Sequence, residues 1–147
     1  MYCSVAYSST GGKVGQGDRD EFAGEERGAA DAEGVDPYEV ILRGLPDGPS
    51  SAMVLPHFTM TGTPWFDTDS RGAIVGLKLS TKREDVVKAL IEGTTFEMKL
   101  NLTMLRSAGV PVETIRSTGG GAKSPMWNQL KADMLGVPVT TLQTSEG

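Results

Sequence analysis

The longest regular pattern of apolar positions in this chain runs from Glu84 to Ser107. Residues that suit a core recur there at steps of three and four, which is the spacing of one face of an α-helix. Thr81 and Glu84 stand three residues apart at its start and predict a capping box. We therefore predict one long helix, buried between layers and followed by Gly109 and Pro111. Its expected core face contains Val87, Leu90, Ile91, Thr94, Met98, Asn101, Leu102 and Leu105, widened by Phe96 and Leu100, with close packing at Glu92-Gly93.

Shorter apolar runs predict the other elements. Asp36 and Pro37 suit a helix cap and a first helical residue, so a short helix is expected from there to Gly44. The other predicted elements are strands at 52–56, 73–79, 112–117 and 138–142, and a helix at 126–135 that Gly136 ends. Helix, strand, helix and strand in this order predict an α/β layer with parallel strands.

A glycine-rich turn, Thr118–Pro125, joins the third predicted strand to the last predicted helix. Such a junction offers unpaired backbone N–H groups and a helix dipole that favours anions. Glycines also allow a phosphate to approach the backbone closely. The turn is therefore either an anion site or a tight strand-to-helix connection that binds nothing, with Ser124 and Pro125 as a helix start.

Two familiar nucleotide motifs fail on this turn. A phosphate loop of the Walker type needs glycines where Ala122 and Ser117 stand. A dinucleotide fingerprint needs a glycine or alanine where Ser124 stands, and an acidic residue at a later strand end. A dinucleotide-binding oxidoreductase is therefore disfavoured.

Charge is concentrated in the first third of the 147 residues. Residues 1–50 carry ten acidic and four basic side chains, whereas residues 51–147 carry nine acidic and ten basic ones. The formal net charge of the chain is −5. This balance argues against a nucleic-acid or anionic-membrane surface, because either would need a basic stripe. The single cysteine, Cys3, excludes an internal disulfide and a cysteine-based metal cluster. With no signal peptide or long apolar run, the cytoplasm is the expected location.

Polar residues between the first two predicted strands have two interpretations each. His57, the only histidine, is a base or ligand, or a strand-end residue, and one histidine cannot build a metal site. Asp67 and Asp69 could hold Mg²⁺. We favour turn formation for these aspartates, with pairing to Arg71.

The glycine turn is one of several motifs that keep a fixed order from about residue 36 to residue 146. They are Gly72–Leu77, Asp85-Val86, Ala89–Gly93, Thr118–Pro125, Ala132-Asp133 and Gly136–Val139, preceded by Thr63-Pro64, Asp67, Asp69 and Arg71-Gly72. Together they resemble the C-terminal domain of the FGGY carbohydrate kinases. Xylulose- and erythritol-type kinases are the subgroup to which the chain is similar at His57-Phe58, Gly62–Pro64 and Gln143–Glu146.

The resemblance implies an α/β fold that is part of an actin-like ATPase, of the ribonuclease-H-like kind. ATP with Mg²⁺ is then the expected cofactor, and a sugar or polyol is bound mainly by an N-terminal domain absent from this chain. In that family the glycine turn contacts the nucleotide, which implies Gly120, Gly121, Ala122 and Ser124 as cofactor-binding residues. No catalytic residue or metal ligand is carried over, because the family's catalytic aspartate lies upstream of the similar region.

The resemblance to the FGGY family also predicts that the chain divides into two regions. Residues 13–18 lack the apolar, tryptophan-containing turn that the family has there. Each large buried side chain contributes about 1.5–3 kcal/mol, so losing two or three predicts a poorly packed segment over residues 1–35. Residues 36–147 are expected to form a partial nucleotide-binding domain.

Two functions from different classes remain open at this point. The first is part of an ATP-dependent sugar kinase, without turnover on its own because the catalytic aspartate is missing. The second is a non-catalytic, actin-like interaction module. The expected partners are ATP or ADP, the sugar or polyol and a second copy in a homodimer, with no nucleic acid and no membrane.

Overall fold

A computed structural model of the chain describes residues 24–35, 37–119, 122 and 124–141, which form four helices and four short strands. The helices are α1 (Gly24–Glu33), α2 (Pro37–Arg43), α3 (Arg83–Ser107) and α4 (Pro125–Leu135). The strands are β1 (Met53–Leu55), β2 (Ala73–Val75), β3 (Ile115–Ser117) and β4 (Val139–Thr141). The α/β composition agrees with the prediction.

The long helix α3 is confirmed, but its capping box is shifted by one residue. Lys82 is the N-cap, and its backbone N–H donates to Asp85 Oδ2 at 2.9 Å. The hydroxyl of Thr81 instead accepts the backbone N–H of Lys78 at 2.8 Å, within the turn that precedes the helix. The prediction of Thr81 and Glu84 as the box was therefore wrong, because a local turn already uses Thr81.

The core face of α3 is narrower than predicted. Val87, Thr94, Asn101 and Leu102 are buried as expected. Phe96 and Leu100 are 56 % and 38 % exposed, so they do not widen the buried face. Met98 is also 36 % exposed. In a 3.6-residue helix Phe96 and Leu100 point away from the side that carries Val87, Thr94 and Asn101, whereas Met98 lies on that side and is only partly covered.

The strands form two separate sheets of two strands each in the part of the chain that the structure describes. β3 and β4 are parallel, with Ile115 opposite Val139, as predicted. β1 and β2 are antiparallel, with Met53 opposite Val75. No helix crosses over between β1 and β2, so the chain returns in the opposite direction. The parallel prediction, made from the order helix, strand, helix and strand, concerned β3 and β4 and is confirmed there.

Apolar clusters lie along α3 from one end to the other. The first joins Ile41 of α2 to Val87, the second joins Val54 of β1 to Ala89, and the third joins Leu102 to Leu135 of α4. Each cluster brings a different element against the same helix. α3 therefore holds the described structure together.

The segment before α2 contributes helix α1, which packs on α2. α1 continues through Gly28. Ala30 is fully buried, and Arg43 of α2 bonds Glu33 at 2.8 Å. Residues 1–23 lie outside the described residues, so the poorly packed segment 1–35 stays a prediction.

Candidate functional site

The glycine turn connects β3 to α4 as predicted. Ser124 is the N-cap of α4, and its Oγ accepts the backbone N–H of Trp127 at 3.2 Å, with Pro125 next. Gly119 has φ +84°, a left-handed conformation that favours glycine. The N–H of Ala122 donates to the carbonyl of Gly119 at 3.1 Å. Of the predicted nucleotide-binding residues, Ala122 and Ser124 are thus placed at the turn, whereas Gly120 and Gly121 lie outside the described residues.

A cavity of about 540 Å³ opens beside this turn. One wall is the first two turns of α4, and the opposite wall is strand β4. In open α/β sheets, ligands bind at the carboxyl ends of the strands, next to the turns that follow them. The residues that line the cavity are Ala122, Pro125, Asn128, Gln129, Ala132, Val139, Thr140 and Thr141.

Asn128 connects the cavity wall to the turn. Its side chain is buried, and its Nδ2 donates to the carbonyl of Ala122 at 2.7 Å. That carbonyl belongs to the residue at the end of the glycine run. The side chain of Asn128 therefore fixes the peptide group that borders the cavity.

Lys131 lies one helical turn beyond Asn128 and is also buried. Its Nζ is 3.3 Å from Ser117 Oγ, 3.4 Å from Asn128 Oδ1 and 4.8 Å from the centre of the Trp127 ring. Burial lowers the pKa of Lys131, because the charged ammonium loses its hydration there. All three neighbours are neutral groups.

Sequence reasoning missed both Asn128 and Lys131. A signal was present in their spacing, since two long polar residues three apart share one face of a helix. The apolar Met126 of the same helix is 50 % exposed, whereas Lys131 is 8 % exposed.

The arrangement suits an anion held by backbone groups. Pro125 has no N–H and that of Trp127 is taken by Ser124 Oγ, so the first turn of α4 offers an anion the N–H of Met126 and the positive end of the helix dipole. None of the described lining residues is a carboxylate, so a phosphate would meet no like charge on these walls. For the same reason the described lining contains no general base for phosphoryl transfer.

His57 belongs to a separate, buried cluster between β1 and α3. Its Nδ1 is 2.7 Å from Ser70 Oγ and its Nε2 is 2.8 Å from Glu97 Oε1. These contacts join the loop between β1 and β2 to the middle of α3. His57 therefore has the partners of a structural strand-end residue.

The aspartates of the same loop form a turn, as predicted, with Asp67 Oδ1 accepting the N–H of Asp69 at 2.8 Å. The pairing with Arg71 was wrong: Arg71 donates instead to the carbonyls of Thr68 and Ser70, at 3.3 and 3.0 Å.

In the described part of the chain, no group of three histidine, cysteine or acidic side chains could hold a metal ion. Among the same residues, no helix has the length and apolarity needed to cross a membrane.

Comparison with known proteins gives one consistent result. Residues 18–147 match the model of the FGGY family of carbohydrate kinases, C-terminal domain. A xylulose kinase of Bacillus subtilis is 32 % identical over 113 residues, and a gluconokinase of the same species is 31 % identical over 142 residues. These alignments cover 75 % and 94 % of this chain, but only 23 % and 28 % of the two relatives.

A solved structure shows the same fold. The ligand-bound xylulose kinase from Lactobacillus acidophilus superposes with a TM-score of 0.76 at 24 % identity. The superposition covers 95 % of this chain and 27 % of that one. The chain thus spans about a quarter of the length of the proteins that it matches.

Proposed function

Because the chain belongs to the FGGY family of carbohydrate kinases, we propose that it supplies part of the nucleotide site of an ATP-dependent kinase for a small sugar or polyol. The observation that carries this proposal is the cavity between the first turns of α4 and strand β4, beside the glycine turn that follows β3. The family resemblance and the predicted actin-like, ribonuclease-H-like fold are confirmed by the matches. The interaction-module alternative is not favoured by them.

The proposed nucleotide contacts are made by Gly120, Gly121, Ala122 and Ser124. Backbone N–H groups of this turn and of the start of α4 would hold phosphate or ribose oxygens. The Oγ of Ser124 already accepts the N–H of Trp127, so its hydroxyl proton is available to a ligand oxygen. MgATP would supply the phosphoryl group, and the described residues of this chain would only bind and orient it.

The proposal assigns no catalytic residue to this chain. A general base for the sugar hydroxyl is absent from the described cavity lining, and so is a metal-binding cluster from the described residues. We infer that the base, the sugar site and Mg²⁺ coordination belong to the parent kinase, with the cytoplasm as its location. This chain alone is then expected to bind ADP weakly and to show no turnover.

An ADP titration of the 147-residue chain and of Gly121→Asp tests the proposal. A carboxylate in the glycine turn would repel phosphate, so binding should be lost in this variant. Ser80→Asp is the matched control, because it adds the same charge to an exposed loop outside the cavity lining. Binding that Ser80→Asp retains and Gly121→Asp loses is the expected result. Absence of binding to the wild-type chain would contradict the nucleotide site, and sugar-dependent ADP formation by this chain would contradict the absence of turnover.

A further inference from the structure

Lys131 is the buried charged residue nearest to the glycine turn in the described structure, and the proposed nucleotide contacts do not use it. It does not line the cavity; it lies behind Asn128, which does. Only 8 % of the surface of Lys131 is exposed to solvent. Burying an ammonium group among neutral partners costs stability, since such groups are normally paired when they are removed from water. A methionine of similar length would avoid that cost.

The contacts of Lys131 reach both ends of the glycine turn. On one side, Nζ is 3.3 Å from the hydroxyl of Ser117, the last residue of β3 before the turn. On the other side, Nζ contacts Asn128 Oδ1 at 3.4 Å, and Asn128 in turn donates to the carbonyl of Ala122 at 2.7 Å. One ammonium group therefore connects the strand that enters the turn with Asn128, and through Asn128 with Ala122, the residue that follows the three glycines.

We propose that Lys131 is a positioning residue for the nucleotide: it holds the two ends of the glycine turn in place and balances the charge of the phosphates from behind Asn128. This inference rests on the proposed function. It explains why a costly buried lysine occupies this site instead of an apolar residue. Removing its charge should weaken nucleotide binding without weakening the fold.

The charged side chains on the elements around Lys131 do not form an ion pair with its ammonium group. On α3, Lys99 donates to the carbonyl of Leu135 at 2.7 Å and Arg106 to that of Val112 at 3.1 Å. Arg116 on β3 is exposed, and Asp133 on α4 is exposed and accepts from Gln129 at 2.8 Å. β4 carries no charged residue. A phosphate bound at the turn would thus supply an anionic partner for Lys131, and it would favour the protonated lysine.

This coupling gives binding a defined pH dependence. Burial lowers the pKa of Lys131 from its ordinary value, and a bound anion would raise that pKa again. Binding and proton uptake are then linked, so ADP affinity should be highest when Lys131 is protonated and should fall as the pH rises through its titration. The informative range lies above about pH 7.5, since the phosphate groups of ADP are already ionised above a pKa of ~6.

The experiment compares ADP affinity and thermal unfolding of the wild-type chain, Lys131→Met and Lys131→Arg between about pH 7.5 and 10. Lys131→Met should bind ADP about tenfold more weakly at the lower pH, which corresponds to the loss of one hydrogen-bonded or charged contact. Its affinity should not vary with pH, and its melting temperature should be equal to or above that of the wild type. Lys131→Arg should restore part of the affinity.

Lys99→Met is the matched control. Lys99 bonds a carbonyl at the other end of α4, so its loss should lower stability and leave both ADP affinity and its pH slope unchanged. A second readout needs no substitution. In the wild-type chain with ¹³C-labelled lysines, the titration midpoint of Lys131 should move to higher pH when ADP is added.

The outcomes separate this inference from the proposed function. If the wild-type chain binds ADP, and Lys131→Met binds it equally well or keeps the wild-type pH slope, the positioning role is overturned while the nucleotide site stands. A Lys131 midpoint that ADP does not move also overturns it. If the wild-type chain binds no ADP at all, the nucleotide site is overturned, and this role with it.

Discussion

Gly93 lies at the point where α3 crosses strand β1, and it has no room for a side chain. A Cβ built there would be 2.5 Å from the carbonyl oxygen of Val54 and 3.3 Å from its carbonyl carbon. Both atoms belong to the backbone, so they cannot move away as a flexible side chain would. The predicted close packing at Glu92-Gly93 is thus confirmed, and Glu92 adds to it by accepting the N–H of Ser50 at 3.1 Å.

We expect Gly93→Ala to lower the free energy of unfolding by about 1–3 kcal/mol, because α3 and β1 would be forced apart. Gly28→Ala in α1 is the matched control. A Cβ on Gly28 meets nothing within 4 Å, so alanine should stabilise the chain by about 0.5–1 kcal/mol through helix propensity. Urea unfolding measures both changes. Equal effects of the two substitutions would contradict the close contact at Val54.

Single residues also show where sequence reasoning reached its limit at the site. Ser124 and Gly136 were predicted as the two caps of α4, because each cap depends on its own local chain. The roles of Asn128 and Lys131 depend on where the carbonyl of Ala122 and the hydroxyl of Ser117 lie in space. Those positions follow from the packing of α4 against β3, which spacing alone does not specify.

At the scale of elements, the start of α3 depends on one carboxylate. Asp85 Oδ2 accepts the backbone N–H of Lys82, and Asp85 also lies in the first turn, where the helix dipole favours negative charge. Asp85→Ala removes both contributions. We expect the free energy of unfolding to fall by about 1 kcal/mol, as for other helix caps.

Two further variants separate the contributions at this cap. Asp85→Asn keeps an acceptor but loses the charge, so it should recover part of the stability. Glu84→Ala removes a first-turn charge without removing the contact to Lys82, so it should cost only the dipole contribution of about 0.3–1 kcal/mol. Thermal or urea unfolding measures all three. A larger loss for Glu84→Ala than for Asp85→Ala would favour the box first predicted from Thr81 and Glu84.

The elements themselves were largely predictable, because helix spacing and caps act over a few residues. All four strands and the helices α2, α3 and α4 occur where the apolar pattern placed them. Strand pairing was less predictable, since it depends on the path of the loop between β1 and β2. That loop is fixed by contacts distant in sequence, such as His57 with Glu97 on α3.

For the whole molecule, α3 is the element that all three apolar clusters share within the described structure. Val87, Ala89 and Leu102 each belong to a different cluster along this helix, which is about 37 Å long at 1.5 Å per residue. The two sheets are not joined by backbone hydrogen bonds between their strands. Such an arrangement favours local opening at either end of α3 over a single cooperative transition.

Leu135→Ala tests this view, because Leu135 is fully buried in the third cluster with Leu102 and Val137. Removing its side chain should cost about 2–5 kcal/mol in that cluster. We expect amide exchange to accelerate in α4, β3 and β4, while α2, β1 and the first half of α3 keep their wild-type protection. Val54→Ala is the reciprocal variant, since Val54 belongs to the second cluster, at the other sheet.

The two variants should therefore give opposite patterns in hydrogen exchange measured by NMR. Val54→Ala should accelerate exchange in β1, β2 and the loop between them, and leave α4 and β4 protected. If either substitution accelerates exchange uniformly over the described residues, the three clusters form one cooperative core. Local patterns would instead mean that α4, β3 and β4, which pack on α3 around Leu102, can loosen or tighten as a unit of their own. A nucleotide that binds there would then stabilise α4, β3 and β4 first, since ligands stabilise the elements that must be ordered for binding.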